Sequence, residues 1–215
     1  MKILSQVIPF VISIVNRYKI DESHGLRHSM EVLYHSHHNI QYSLQKIPKL
    51  DHQRNVIYTS ALVHDLCDSK YIEPRKGVSL ITNFLHKSTD LNYTEINAIT
   101  DIISTMSYSK VKVDGFPDLG EYQQAYHIVR ESDLLAAYDP ERSIIYNMYN
   151  VDKSFIKCVK NADVLFQNRV FKHVDDGLFL TDYAKMIYRQ YDNESRKRLI
   201  IWKQLGGMRD GITLL

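Results

Sequence analysis

The sequence predicts an all-α fold built as one domain over residues 1–215. Apolar residues recur at the three-to-four-residue spacing of buried helix faces along most of the chain. Alternating period-2 runs are scarce, and only Val111-Lys112-Val113 suggests a short strand. The five prolines and eight glycines are scattered, so no stretch reads as a long linker. There is no internal repeat or low-complexity tract, and the length suits one sizeable core.

Ile3, Leu4, Val7, Ile8, Val11, Ile14, Val15 and Tyr18 share one face of a first helix, with Pro9 near its start or kinking it. The N-terminus resembles a signal peptide only briefly, because Ser5, Gln6, Pro9 and Ser13 break the apolar run and no cleavage site follows. Asp21 and Ser23 are candidate caps for a second helix that runs to about Gln45 and ends at Ile47-Pro48. Asp51 is a candidate cap for a third helix that runs into His64-Asp65. Pro74 opens a helix near 74–87, and another covers about 93–106. Residues 107–120 hold Asp114-Gly115, Pro117 and Gly120 and read as the longest loop. Helices at about 121–138 and 140–150 follow, divided at Asp139-Pro140. The last two are expected at 153–171 and 181–205, with a turn at 174–177.

Composition excludes several functions. The apolar and charged fractions, 44% and 24%, are those of a globular protein. A net charge of +2 gives no global attraction to nucleic acid or anionic membrane. No apolar run reaches the ~20 residues that cross a bilayer. The two cysteines, Cys67 and Cys158, have no CxxC spacing and suggest free thiols in a reducing, cytoplasmic setting. The fifteen tyrosines read as compositional bias, and Tyr34, Tyr42, Tyr58 and Tyr146 as core edge rather than a base-stacking platform. Arg196-Lys197-Arg198 reads as a solvated helical face, and His35, His37 and His38 as a polar one.

The chemistry centres on Ala61-Leu62-Val63-His64-Asp65-Leu66-Cys67-Asp68-Ser69-Lys70-Tyr71. A small apolar run carries a helix inward and ends on an adjacent His-Asp pair. On a continuing helix, Asp68 shares the face of His64 and Asp65. A buried carboxylate is costly unless paired, and a divalent cation removes that cost. His24 and His28 share a face at the start of the second helix, and Asp133 leads the apolar segment Leu134–Ala137.

A histidine at 28, the His64-Asp65 pair and a distant Asp133 resemble the metal-binding signature of the HD-domain phosphohydrolases. So do His-Asp-x-x-Asp-x-Lys-Tyr at 64–71, the segment Ile103–Ser109, and Glu131-Ser132-Asp133-Leu134-Leu135-Ala136. The chain is most similar to the small stand-alone members, including the nucleoside-triphosphate pyrophosphohydrolase branch. The resemblance covers about residues 20–145; the helical extension at about 150–205 matches nothing in it. It departs from the family in having Glu131-Ser132 where Asp-Ala is common, and only His86 and His127 lie between the His-Asp pair and Asp133. It therefore implies one metal ion, held by His28, His64, Asp65 and Asp133.

Two imidazoles and two carboxylates suit Mn, Co, Ni, Fe, Zn or Mg, and the donors do not choose among them. The expected reaction is metal-dependent hydrolysis of a phosphate ester or anhydride of a small substrate, with a nucleotide the expected class. Asp68 is the candidate proton acceptor. Lys70, His24, Arg27, Arg142 and Ser107 are candidate substrate contacts, with Arg75, Lys76 and Ser109 further ones. A homodimer is left open. The alternative is a non-catalytic HD protein that binds metal and nucleotide for regulation. A dinuclear iron oxygenase would need two more histidine ligands. A helical nucleic-acid binder would need a basic stripe that is absent.

Overall fold

The structure, a computed structural model, describes residues 2–208. Among them there are helices and no strands, so the all-α class holds. The α-helices are α1 (Lys2–Tyr18), α2 (Leu26–Ser43), α3 (Arg54–Val63), α4 (Pro74–Ser88) and α5 (Tyr93–Thr105), then α6 (Tyr108–Asp114), α7 (Gln123–Ala136), α8 (Pro140–Asn150), α9 (Phe155–Asn168) and α10 (Asp182–Leu205).

Helix α3 is the axis of the molecule. Every residue from Val56 to Val63 is buried, and α1, α2, α5 and α7 surround it. A helix buried on all sides needs either apolar or small hydroxyl residues all round. The run Val-Ile-Tyr-Thr-Ser-Ala-Leu-Val meets that need, and Thr59, Ser60 and Ala61 admit close neighbours. Helix α2 also packs along α7, so the segments carrying His28, His64 and Asp133 adjoin each other.

A second apolar cluster joins Val111 of α6 and Leu134 and Leu135 of α7 to Phe166 of α9, Val170, and Tyr183 and Leu199 of α10. The C-terminal helices are therefore packed against the segment that carries Asp133. Glu131 strengthens this join. It is fully buried, and it accepts from Leu180 N (2.9 Å), Thr181 N (3.0 Å), Thr181 Oγ1 (2.6 Å) and Arg130 Nη2 (3.0 Å). Thr181 in turn caps α10 by accepting from Ala184 N.

Several local expectations are corrected. Asp21 and Ser23 do not cap α2; Gly25 occupies that position. Asp21 instead accepts from Ser23 N and Ser23 Oγ, which closes a turn ahead of the helix. Asp51 lies within a 3-10 turn, Pro48–Gln53, and its carboxylate takes Arg54 Nε, so Gln53 precedes α3. The stretch expected as a loop from 107 contains α6, and the candidate strand at 111–113 is part of that helix. His35 is not on a polar face. It is buried, with its ring centre 5.1 Å from that of Tyr191 in an edge-to-face arrangement. Arg198 is not merely solvated, since it pairs with Asp139 (2.9 Å) and with Glu141. Pro9 lies inside α1.

Candidate metal centre

Helix α3 stops at Val63, and His64–Cys67 forms a 3-10 turn. Asp68 then leaves in extended backbone, φ −71° and ψ 127°, its N–H bonded to Asp65 O (3.1 Å). Asp68 therefore does not lie one α-turn beyond His64, contrary to the sequence expectation. The tighter turn changes which side chains share a face, because i and i+3 eclipse in a 3-10 segment.

The turn brings His64 and Asp65 to His28, and Asp133 approaches both histidines. His28 Nε2 lies 3.1 Å from His64 Nε2. Asp65 Oδ2 is 3.4 Å from His28 Nε2, and Asp65 Oδ1 is 3.4 Å from His64 Nε2. Asp133 Oδ1 is 3.2 Å from His28 Nε2 and 3.6 Å from His64 Nε2. Ligand atoms of His28, His64 and Asp65 all lie within 4.8 Å of one another. Donors around one cation at ~2.1 Å bonds stand about 3.0 Å apart when adjacent at right angles. The separations among His28, His64 and Asp65 are near that spacing; Asp133 stands at similar distances from the two histidines but lies outside the group of three, and the two carboxylates offset a divalent charge. His64 Nδ1 donates to Ala61 O (2.9 Å), which leaves Nε2 as the lone-pair nitrogen facing the group. His28 Nδ1 is buried without a partner.

The electrostatics are those of a site short of one cation. Burial opposes a charge on His64, but Asp65 and Asp133 outweigh it and raise its pKa to about 9. His28, equally buried and facing Arg142, is pushed down to about 4. Burial works against the charge on Asp65, yet His64, His28, His24 and Arg142 draw its carboxyl down to about 2. Asp133 is held well below the ordinary carboxylate range, its burial outweighed by His28 and His64. Without an ion, a proton on His64 takes the cation's place.

A cavity of about 360 Å³ opens from His64, Asp65 and Asp133 and runs past Asp68, Lys70 and Ser107. Asp68 accepts from Lys70 N (2.9 Å) and from Lys70 Nζ (3.3 Å). Ser107 also lines the cavity, its Oγ 3.4 Å from Ser109 Oγ. His24 is not on α2 with His28 but in the turn before it. Its Nε2 accepts from Lys70 Nζ (2.9 Å), so Nδ1 carries the proton and faces Ser23 Oγ (2.7 Å). Burial lowers its pKa to about 4, and the ring is neutral. Tyr71 closes this network by donating to Asp21 (2.5 Å).

Arg142 is closer to the candidate ligands than a phosphate contact was expected to be. Its Nη2 is 3.4 Å from Asp65 Oδ2, its Nη1 is 4.0 Å from Asp133 Oδ1, and its Nε donates to Ser23 O. Arg27 is not brought to the cavity. It is exposed and borders a small cleft behind His28 that also holds Glu22, Glu31 and Asp139. His127 turns away from the site and meets Gln123 Nε2 at 3.0 Å.

Sequence reasoning missed Arg169 and Lys110, both of which line the cavity. Lys110 lies in α6, hidden in a stretch read as loop. Arg169 caps the end of α9, inside the helix expected at 153–171, but nothing in its neighbours pointed to a site. No helix among the described residues is long and apolar enough to cross a membrane. Cys67 and Cys158 are free thiols. Comparison with protein-family models, with curated proteins and with solved structures finds no match to this chain.

Proposed function

We propose that the chain is a metal-dependent phosphohydrolase of the HD-domain type, acting on a small phosphate ester or anhydride, with a nucleotide as the leading substrate class. The observation that carries this reading is the close group of His28 from α2 with His64 and Asp65 from the turn after α3, with Asp133 of α7 beside both histidines. The ordered residue set that resembles HD hydrolases supports it independently.

His28, His64, Asp65 and Asp133 would hold the ion. When bound, a divalent ion supplies Lewis acidity: it acidifies water and draws charge from a phosphoryl oxygen. The remaining work belongs to the chain. Arg142 fixes the carboxylates of Asp65 and Asp133 in place. Asp68, on the cavity wall beside this group, is the acceptor for the proton of the attacking water. Lys70 stands between Asp68 and His24, where it orients Asp68 and presents positive charge to the substrate. Ser107, also on the cavity wall, offers a hydroxyl to phosphoryl oxygens.

The test is a hydrolysis screen of nucleoside mono-, di- and triphosphates with Mn, Co, Ni, Fe, Mg and Zn added separately. The expected result is phosphate or pyrophosphate release that a chelator abolishes and one of these ions restores. Tight metal and nucleotide binding without release under any condition would overturn the enzymatic reading in favour of a regulatory binding protein.

A further inference from the structure

The cavity at the candidate metal centre has a neighbour. A second cavity of about 270 Å³ is lined by His24, Arg142 and Tyr146 together with Leu165, Phe166 and Arg169. Two side chains border both cavities, Lys70 and Arg169. Both are cations, and they stand at the junction.

Arg169 is the more informative of the two. It is half-buried, yet among the described residues no carboxylate lies within ion-pair distance of its guanidinium and no side-chain hydrogen bond is made. The other arginines near the site are paired: Arg142 with Asp65, Arg130 with Glu131, Arg198 with Asp139 and Glu141. The acids whose charges reach Arg169 are already committed. Asp133 faces the histidines, and Asp68 takes Lys70 N (2.9 Å) and Lys70 Nζ (3.3 Å). A partly desolvated guanidinium without a counter-anion is costly, and an anionic ligand removes that cost.

The residue is also held rigidly. It sits where α9 gives way to a 3-10 turn, Val170–Lys172. Phe166 and Val170, on either side of it, are buried in the cluster that contains Leu134 and Leu135 next to Asp133. Its guanidinium stacks 4.3 Å from the centre of the Tyr108 ring. The fold thus spends apolar contacts on both flanks to keep one unpaired guanidinium at a cavity wall.

We propose that Arg169, with Lys70, binds phosphoryl oxygens of the substrate at the junction of the two cavities. The C-terminal helical segment is then part of the substrate site, and the second cavity houses the remainder of the bound molecule. The inference rests on the phosphohydrolase reading for what is bound, but not for the anion contact itself.

The test separates the two. Metal-loaded full-length protein is titrated calorimetrically with methylenediphosphonate, which cannot be hydrolysed, and with inorganic phosphate. Arg169→Met keeps a stem to cover Tyr108 and removes the charge; Arg169→Lys keeps the charge and loses the planar fork. The expected result is a loss of about ten- to hundredfold in methylenediphosphonate affinity for Arg169→Met and a smaller loss for Arg169→Lys, with metal content unchanged in both. A merely structural Arg169 would lower the melting temperature and leave anion affinity alone, which overturns the proposal. So does a wild-type protein that binds neither probe, or, should Arg169→Met fail to fold, an Arg169→Lys protein that binds as tightly as wild type. If anion affinity falls as expected while no phosphate ester is hydrolysed under any metal, the anion site stands and the enzymatic reading fails.

Discussion

Gly77 of α4 lies directly against Cys67, the last residue of the turn that carries His64 and Asp65. A Cβ on Gly77 would stand 2.7 Å from Cys67 Cα and 2.7 Å from Leu66 O. Both are backbone-linked atoms that cannot swing aside. Gly77→Ala therefore forces α4 and the turn apart. The expected cost is about 1–3 kcal/mol of stability, the usual range for overpacking, read as a lower denaturant midpoint. Because the displaced turn bears two of the four candidate ligands, metal affinity should fall with it. A variant with unchanged stability would mean that α4 can slide along the turn at no cost.

Metal removal should make stability depend on pH in a defined direction. In chelator-treated protein the His64 pKa is raised to about 9, by Asp65 and Asp133 against its own burial. Its unfolded value is about 6.5. A group whose folded pKa is raised stabilises fully below the unfolded value and loses that contribution as pH rises through the folded one. The chelated protein should thus melt at progressively lower temperature from about pH 6.5 to 9, where Asp65 and Asp133 come to repel each other uncompensated. Protein supplied with a divalent ion should keep its melting temperature across that window, so the gap between the two widens with pH. Parallel melts at four or five pH values check this. A constant gap would show that no ion competes with the His64 proton. A companion test is elemental analysis of a His64→Ala, Asp65→Ala double variant, which should carry no bound metal.

Glu131→Ala should be among the most damaging substitutions away from the site itself. The change strands Arg130, which is 1% exposed and whose Nε and Nη1 already lack partners, and it frees the N–H groups of Leu180 and Thr181. Breaking a buried charge pair by removing one partner costs about 3–5 kcal/mol. Amide hydrogen exchange in α10 should rise, because Thr181, which Glu131 anchors, caps that helix. Destabilisation without faster exchange in α10 would indicate that the apolar contacts of Tyr183 and Leu199 hold the helix alone.

The parts of this molecule that were legible in its sequence are those where polarity and periodicity disagree. A histidine beside an aspartate at the end of the apolar run Ala61-Leu62-Val63, and an aspartate opening Leu134–Ala137, are anomalies that burial alone does not explain, and the structure brings them together. The extent of most helices followed from the same periodicity. The 3-10 turn at His64–Cys67 was not legible, because changing i+4 to i+3 bonding leaves the polar pattern of four residues unaltered. Helix α6 was hidden for a different reason. Asp114-Gly115 and Pro117 signal a break correctly, but they end a seven-residue helix instead of filling a loop. Arg169 could not be found at all from its neighbours Gln167 and Asn168. Its position depends on the docking of α9 and α10 against α7, a long-range arrangement that no local window contains.

Asp68 provides the sharpest test of chemistry as opposed to metal binding. Its carboxylate is not among the close donor contacts that link His28, His64, Asp65 and Asp133, yet it lines the same cavity. The extended backbone at Asp68 turns it out of the helix and onto the wall, where Lys70 N and Lys70 Nζ hold it. On the proposed reading, a carboxylate so placed would take a proton from water at the candidate metal centre, with Lys70 steadying its charge. Asp68→Asn preserves shape and hydrogen bonding to Lys70 N but removes the proton-accepting oxygen. On the substrate identified by the hydrolysis screen, kcat should fall by ~10²–10⁴, the range for loss of a general acid or base, while metal occupancy and KM change little. Loss of the metal in Asp68→Asn would make the residue a ligand, which the turn at His64–Cys67 would then have to bend to permit. Near-normal kcat would relieve Asp68 of the proton and leave it as the partner that positions Lys70, and the acceptor would have to be sought elsewhere on the cavity wall.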